Sequence, residues 1–249
     1  YKKAEARYKL ALEFDTNRFR SDKRIDEILR DVANNNSPSV YLVDAWDEFK
    51  VKSPYGVPGK ELFLEHVHLN FQGNYILAQS VFNHINMVLP ERVSRYIDNN
   101  MVITDSLIAN DLVFTELSNY QINESVLNDF IKRPPFTNQL YHDETVNEMQ
   151  TTLDTFRSNI NREMFERIER DYQRAIQDNP TDWMLHWKYA GLLASSDLMN
   201  DKVAAKHFRF VKKTLPHYPS AYVMLGLITG RLGKLDESVA LNKQALKMD

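Results

Sequence analysis

The sequence predicts a mainly α-helical chain: a stack of antiparallel helix pairs, preceded by a partial α/β unit. Three observations predict it. In the C-terminal third, small and aromatic residues recur with closing prolines, Pro180 and Pro216, 36 residues apart. Earlier, a β-branched run, VYLVDAW (40–46), sits between a helical segment and a Pro/Gly-rich loop. Glycine is scarce, seven in 249 residues, which disfavours a complete α/β domain with many tight turns.

The helical repeats are clearest at 219–249. Tyr222, Leu225 and Gly226 fall on one helix, Gly233 at a turn, and Ser238 and Ala245 on a second helix. Small residues let antiparallel helices approach, and large neighbours fill the groove between them. One repeat earlier, Tyr189, Ala190 and Leu193 precede Ala204, Phe208 and Pro216. Earlier still, VNEMQTTLDTFRSNI keeps apolar residues at 146, 149, 153, 156 and 160, and DYQRAIQDNP follows with Tyr172, Ala175 and Pro180.

These positions, with a period of about 34, resemble the tetratricopeptide (TPR) repeat. The resemblance implies about three repeats over 144–249 and a concave face that holds a protein or peptide. Trp183, Trp187 and Tyr222 are its candidate peptide-binding residues, although large side chains there also pack between helices. His186 clusters with Trp183 and Trp187 and shares both readings, whereas His207 and His217 are read as structural, and Glu166, Arg167, Glu169 and Arg170 as a solvated face. Ala4, Tyr8 and Ala11 match the second helix of such a repeat, making 1–19 a half repeat whose first helix is expected before Tyr1. A closing proline is likewise expected after Asp249.

Residues 20–90 read differently. Ser21 or Asp22 can cap a helix whose apolar face is Ile25, Ile28, Leu29 and Val32. The run 40–46 is expected to be a buried parallel strand. After the loop comes FLEHVHLNFQGN (63–74), then the helix YILAQSVFNHINMVL. His66 and His68, with Glu65 beside them, suit a metal ion only if a third ligand such as His84 or Asp44 joins them, and a short His-x-His is a weak signal.

Glu65-x-x-His68-x-Asn70-x-x-Gly73 resembles the last block of the SGNH (GDSL-like) hydrolases. The resemblance implies that His68 is the base and Glu65 the acid that orients it. Asn70 and Gly73 are assigned to the loop and cap of the following helix. Glu65 stands where that family usually has Asp, and Leu69 where it usually has Pro. No serine lies in a Gly-Asp-Ser or Gly-x-Ser-x-Gly context. The nucleophile and most of the sheet are therefore expected before residue 1, with 1–15 the tail of a helical insertion. The arrangement is similar to that of large bacterial TPR proteins, and RPPFTNQL (133–140) in the helical connector 91–143 resembles a segment between their two regions.

The functional expectation is thus a protein-interaction scaffold joined to a truncated hydrolase unit, inactive by itself. The alternative is a serine esterase or acyl-transfer enzyme that uses His68 and Glu65. No cofactor or metal is expected. Net charge is -3 without a basic stripe, which gives no reason to expect nucleic acid. No apolar run has the length of a membrane span. Cysteine is absent, which excludes disulfides and thiolate sites. Self-association through the unpaired edge of strand 40–46 is a further expectation.

Overall fold

The computed structural model describes residues 2–14, 22–97, 102–195 and 198–248. Ser21 therefore lies outside the described residues, as do 15–19 of the half repeat. The chain is mainly helical and divides into two compact units, Tyr1–Asp105 and Ser106–Asp249.

In the first unit, α1 (Lys2–Phe14) and α2 (Lys23–Asn35) are followed by α3 (Ala45–Lys52) and α4 (Phe71–Val88). Asp22 caps α2, its Oδ1 accepting the Ile25 N–H at 2.9 Å. The apolar face of α2 is not buried: Ile25, Ile28, Leu29 and Val32 are all exposed, and only Ala33 is covered.

The strand expected at 40–46 is not formed, and no strand is present among the described residues. Residues 40–44 are irregular, and α3 begins at Ala45. The reason is twofold. A parallel strand takes its backbone partners from neighbouring strands, and the described residues supply none; the Val40 N–H turns back to the Asn36 carbonyl at 3.2 Å. From Ala45 onward the local chemistry favours helix, with Asp47 and Glu48 in the first turn and Lys50 and Lys52 in the last. Without a strand, the expected strand-edge self-association has no structural basis.

A small core does form. Phe49 of α3, Ile76 of α4 and Leu62 of the intervening loop are buried together, with Phe63, Leu69, Tyr75 and Leu77 packed against them. Phe49 meets Phe63 edge to face at 6.0 Å. The loop that carries Glu65 and His68 is held by this core. A short helix, α5 (Glu91–Ser94), follows α4.

The second unit opens with α6 (Asp105–Asp111) and α7 (Glu116–Ser125). Thr115 and Ser118 form a reciprocal capping box at α7. A π-helical turn, Val126–Ile131, extends α7. Helices α8 (His142–Asn159), α9 (Arg162–Asp178), α10 (Trp183–Leu193), α11 (Asp201–Thr214), α12 (Pro219–Arg231) and α13 (Leu235–Ala245) complete it. Helix α7 packs on α8, α9 on α10, α10 on α11, α11 on α12 and α12 on α13. Asn161, Asp182 and Asn200 cap α9, α10 and α11.

One continuous core runs through this unit. Ala190, Leu193, Ala204, Phe208, Leu225 and Ile228 are fully buried or nearly so. The approach of α12 to α13 is set by small residues. A Cβ on Gly226 would lie 2.6 Å from the Asn242 amide nitrogen, and one on Gly230 would lie 3.2 Å from Ser238 Oγ. Gly233, in the turn between them, has φ +79°, a conformation that strains other residues.

Candidate functional sites

Residues 62–70 fold into a tight loop. The Leu64 N–H donates to the His68 carbonyl at 2.8 Å, and the Asn70 N–H to the Leu62 carbonyl at 2.9 Å. Inside it sits Glu65, its side chain only 3% exposed. The carboxylate is almost surrounded by donors. Oε2 accepts the N–H groups of His66 and Val67, and Oε1 that of His68 at 2.8 Å. Each oxygen also meets an imidazole: Oε1 the Nδ1 of His68, Oε2 the Nδ1 of His66. Burial pushes the Glu65 carboxyl up. The Val67 and His68 N–H groups, then the His68 ring and the charge of His66, outweigh burial and hold it below the usual range.

His68 is half exposed, so a ring anchored at Nδ1 stands at the surface. Asn70 caps α4, its Oδ1 accepting the Gly73 N–H at 3.0 Å. Gly73 is required by contact: a Cβ there would lie 2.3 Å from the Leu62 carbonyl oxygen. Other candidate metal ligands are occupied elsewhere. His84 bonds back through Nδ1 to the Ser80 carbonyl at 2.8 Å, and Asp44 is ion-paired with Arg30 at 2.5 Å. Among the described residues, no group of three or more His, Asp or Glu is placed to hold a metal ion.

The aromatic candidates of the second unit take different places. Tyr222 is buried, and its hydroxyl donates to the Pro216 carbonyl at 2.8 Å. Trp187 is half-buried, edge-on to Phe208 at 5.3 Å and to Tyr218 at 5.4 Å, and Trp183 meets the same Tyr218 at 6.1 Å. Exposed apolar residues that sequence reasoning passed over accompany them: Met184 on α10, and Val223 and Leu227 one turn apart on α12. A shift of 36 residues places Trp187 on Val223, so the two helices present equivalent positions. Noting which first-helix positions are apolar but outside the packing pattern would have found them.

A second feature joins α10 to α11. His186 is buried, its ring stacked on Phe210 with centroids 4.0 Å apart. Its Nε2 lies 3.1 Å from the Pro180 carbonyl, and its Nδ1 is 2.8 Å from the Nδ1 of His207. A carbonyl only accepts, so Nε2 carries a proton and the Nδ1 of neutral His186 accepts from His207. Burial lowers both imidazoles, that of His207 to about 4, with the neighbouring His186 and Lys206 adding to the effect. Nearby, the Tyr189 hydroxyl donates to Glu169 and accepts from Gln173, each at 3.0 Å.

No family model matches the chain, and a search of curated proteins finds no match.

Proposed function

We propose that the chain is a TPR-type interaction scaffold joined to the base-bearing end of an SGNH-like hydrolase unit. The observation that carries the scaffold reading is the pairing of α12 with α13. Gly226 and Ser238, expected to be small for close packing, lie in contact there: Ser238 Oγ donates to the Gly226 carbonyl at 2.7 Å. Such stacked pairs bind partners through their first helices. Trp187, Val223 and Leu227 then supply a semi-exposed apolar stripe for an extended or helical peptide, while Tyr222 serves packing. The test is selection from a displayed peptide library on the full chain. Selected peptides should lose at least about tenfold in affinity on Val223→Glu or Leu227→Glu, roughly the loss of one buried apolar anchor. Peptides indifferent to both substitutions would sink the reading.

The second reading concerns chemistry, and the Glu65–His68 contact favours it. With Nδ1–H donated to Glu65, the Nε2 of His68 carries the lone pair that accepts a serine proton. Glu65 fixes that tautomer and stabilises the imidazolium that forms. The serine is not among these residues, so the chain itself is expected to hydrolyse nothing. In a protein that also contains a Gly-Asp-Ser nucleophile, His68→Ala should abolish turnover of a short acyl ester. Undiminished turnover would remove the assignment.

A further inference from the structure

We propose that the outward face of α11 is a docking surface for an acidic polypeptide segment, extended, with Asp or Glu at alternate residues. This goes beyond the scaffold and hydrolase readings and uses none of their site residues. Lys202, Lys206, Arg209 and Lys213 stand at spacings of four, three and four, which places them on one side of the helix. The row is about 16 Å long. In the sequence these cations are scattered, and only the helix lines them up. Lys202, Lys206 and Lys213 are exposed, and among the described residues only Arg209 of the four is ion-paired. Helices α10 and α12 already pack on α11, so the pairing itself leaves this row outward.

A merely solvated helix face mixes its signs, and the preceding helix pair supplies the comparison. A shift of 36 residues places α9 on α11, with Tyr172 on Phe208. Helix α9 carries four arginines and five acids, and Arg162, Arg167 and Arg174 are each ion-paired. Helix α11 carries five lysines and arginines and one acid. That acid, Asp201, is taken by Arg231 of α12, and Lys212 is turned over the Tyr222 ring at 5.3 Å. The chain has a net charge of -3, so the excess on α11 is local and runs against the overall sign.

Charge complementarity identifies the partner as acidic, and the surrounding side chains identify its class. Arg209 already holds a carboxylate, that of Glu237 on α13, at 3.0 Å. The large apolar side chains of α11 are buried or half-buried. The row therefore offers no aromatic platform on which bases stack and no apolar anchor for a bilayer. An extended polypeptide with acids at alternate residues repeats them about every 6.7 Å on one side. Lysines four apart on a helix rise by about 6 Å, and their flexible stems absorb the difference.

Fluorescence anisotropy of the full chain with a labelled peptide of alternating Glu and Ser tests this. Binding is expected at about 20 mM salt and should weaken about tenfold by about 200 mM, as exposed charges are screened. Lys206→Glu with Lys213→Glu, both at exposed positions, should weaken it at least about tenfold and leave the far-UV circular dichroism unchanged. Lys3→Glu with Lys52→Glu, exposed in the first unit, makes the same change in net charge and should have less than about a twofold effect. Glu237→Gln, which releases Arg209, should tighten binding. Absence of binding at low salt overturns the proposal, as does an equal loss in the two double variants. Tighter binding of oligothymidylate or of phosphatidylserine vesicles through the same lysines would overturn the choice of an acidic polypeptide. Peptide affinity at the α10–α12 positions is read separately, so loss of one result leaves the other standing.

Discussion

Glu65 Oε1 is shared between two groups of one residue, the backbone N–H and the ring Nδ1 of His68. One carboxylate oxygen therefore fixes both the loop around His68 and the ring of His68. The other oxygen accepts the His66 backbone N–H and lies close to that residue's ring Nδ1. The pair can serve a catalytic histidine, and it also serves the loop itself, because Glu65 satisfies N–H groups that a sharp turn would leave without backbone partners.

Replacing Glu65 should therefore be felt without any chemistry. Glu65→Ala is expected to destabilise the first unit by about 1–3 kcal/mol, the cost of leaving buried donors unsatisfied. The amides of residues 66–68 should exchange faster with solvent. The pH dependence has a definite sign. The carboxyl is held below its usual value of 4.5 in the folded chain, so its contribution is complete above that value. It fades as pH falls through the lowered folded value. In urea melts, the stability difference between wild type and Glu65→Ala should be smaller at pH 3.5 than at pH 7.

The glycines make a second, graded prediction. Gly73→Ala places a methyl 2.3 Å from a backbone carbonyl, where only backbone movement relieves the clash. A loss of about 3 kcal/mol is expected. Gly226→Ala meets the end of the Asn242 side chain at 2.6 Å. That amide can rotate away but gives up its 2.9 Å bond to the Ser238 carbonyl, so about 1 kcal/mol is expected. Gly191, inside α10, has nothing within 4 Å of the added atom. Gly191→Ala should stabilise by about 0.5–1 kcal/mol through helix propensity. Thermal melts should rank the three in this order.

The two units differ in how much of them could be read beforehand, and particular residues show why. Small-residue positions such as Ala190, Ala204 and Gly226 mark the helix pairs because close packing demands them locally, at a fixed spacing. Asn70 and Gly73 were legible for the same reason, since a cap and a close approach are local needs. Residues 40–46 were not. Their β-branched character describes a side-chain preference, whereas a strand exists only by pairing. The exposed Val223 and Leu227 were missed because the repeat pattern marks residues that pack, and exposed positions outside it leave no periodic signature. The His186–His207 contact joins residues 21 apart and depends on the register of α10 on α11, which no short motif encodes.

That contact yields the last prediction. Both imidazoles are neutral in the folded chain, and His207 gains a proton only near pH 4, against an ordinary value of 6.5. In the unfolded chain both protonate near that ordinary value. The unfolded state therefore binds more protons between roughly pH 6.5 and 4, and stability falls as pH is lowered through that window, levelling below it. The ring of His207 is partly open to solvent, so screening reduces the effect to about 1–2 kcal/mol. Protonating His186 has a further consequence: both Nδ1 atoms would then carry hydrogens 2.8 Å apart, with no acceptor between them. The α10–α11 contact should loosen before the rest of the second unit. A nuclear magnetic resonance titration should show His207 remaining neutral well below pH 6. Urea melts should show His207→Gln flattening the decline in stability between pH 6.5 and pH 4.5. An unchanged slope in that variant would mean that the acid sensitivity of the second unit arises from other groups.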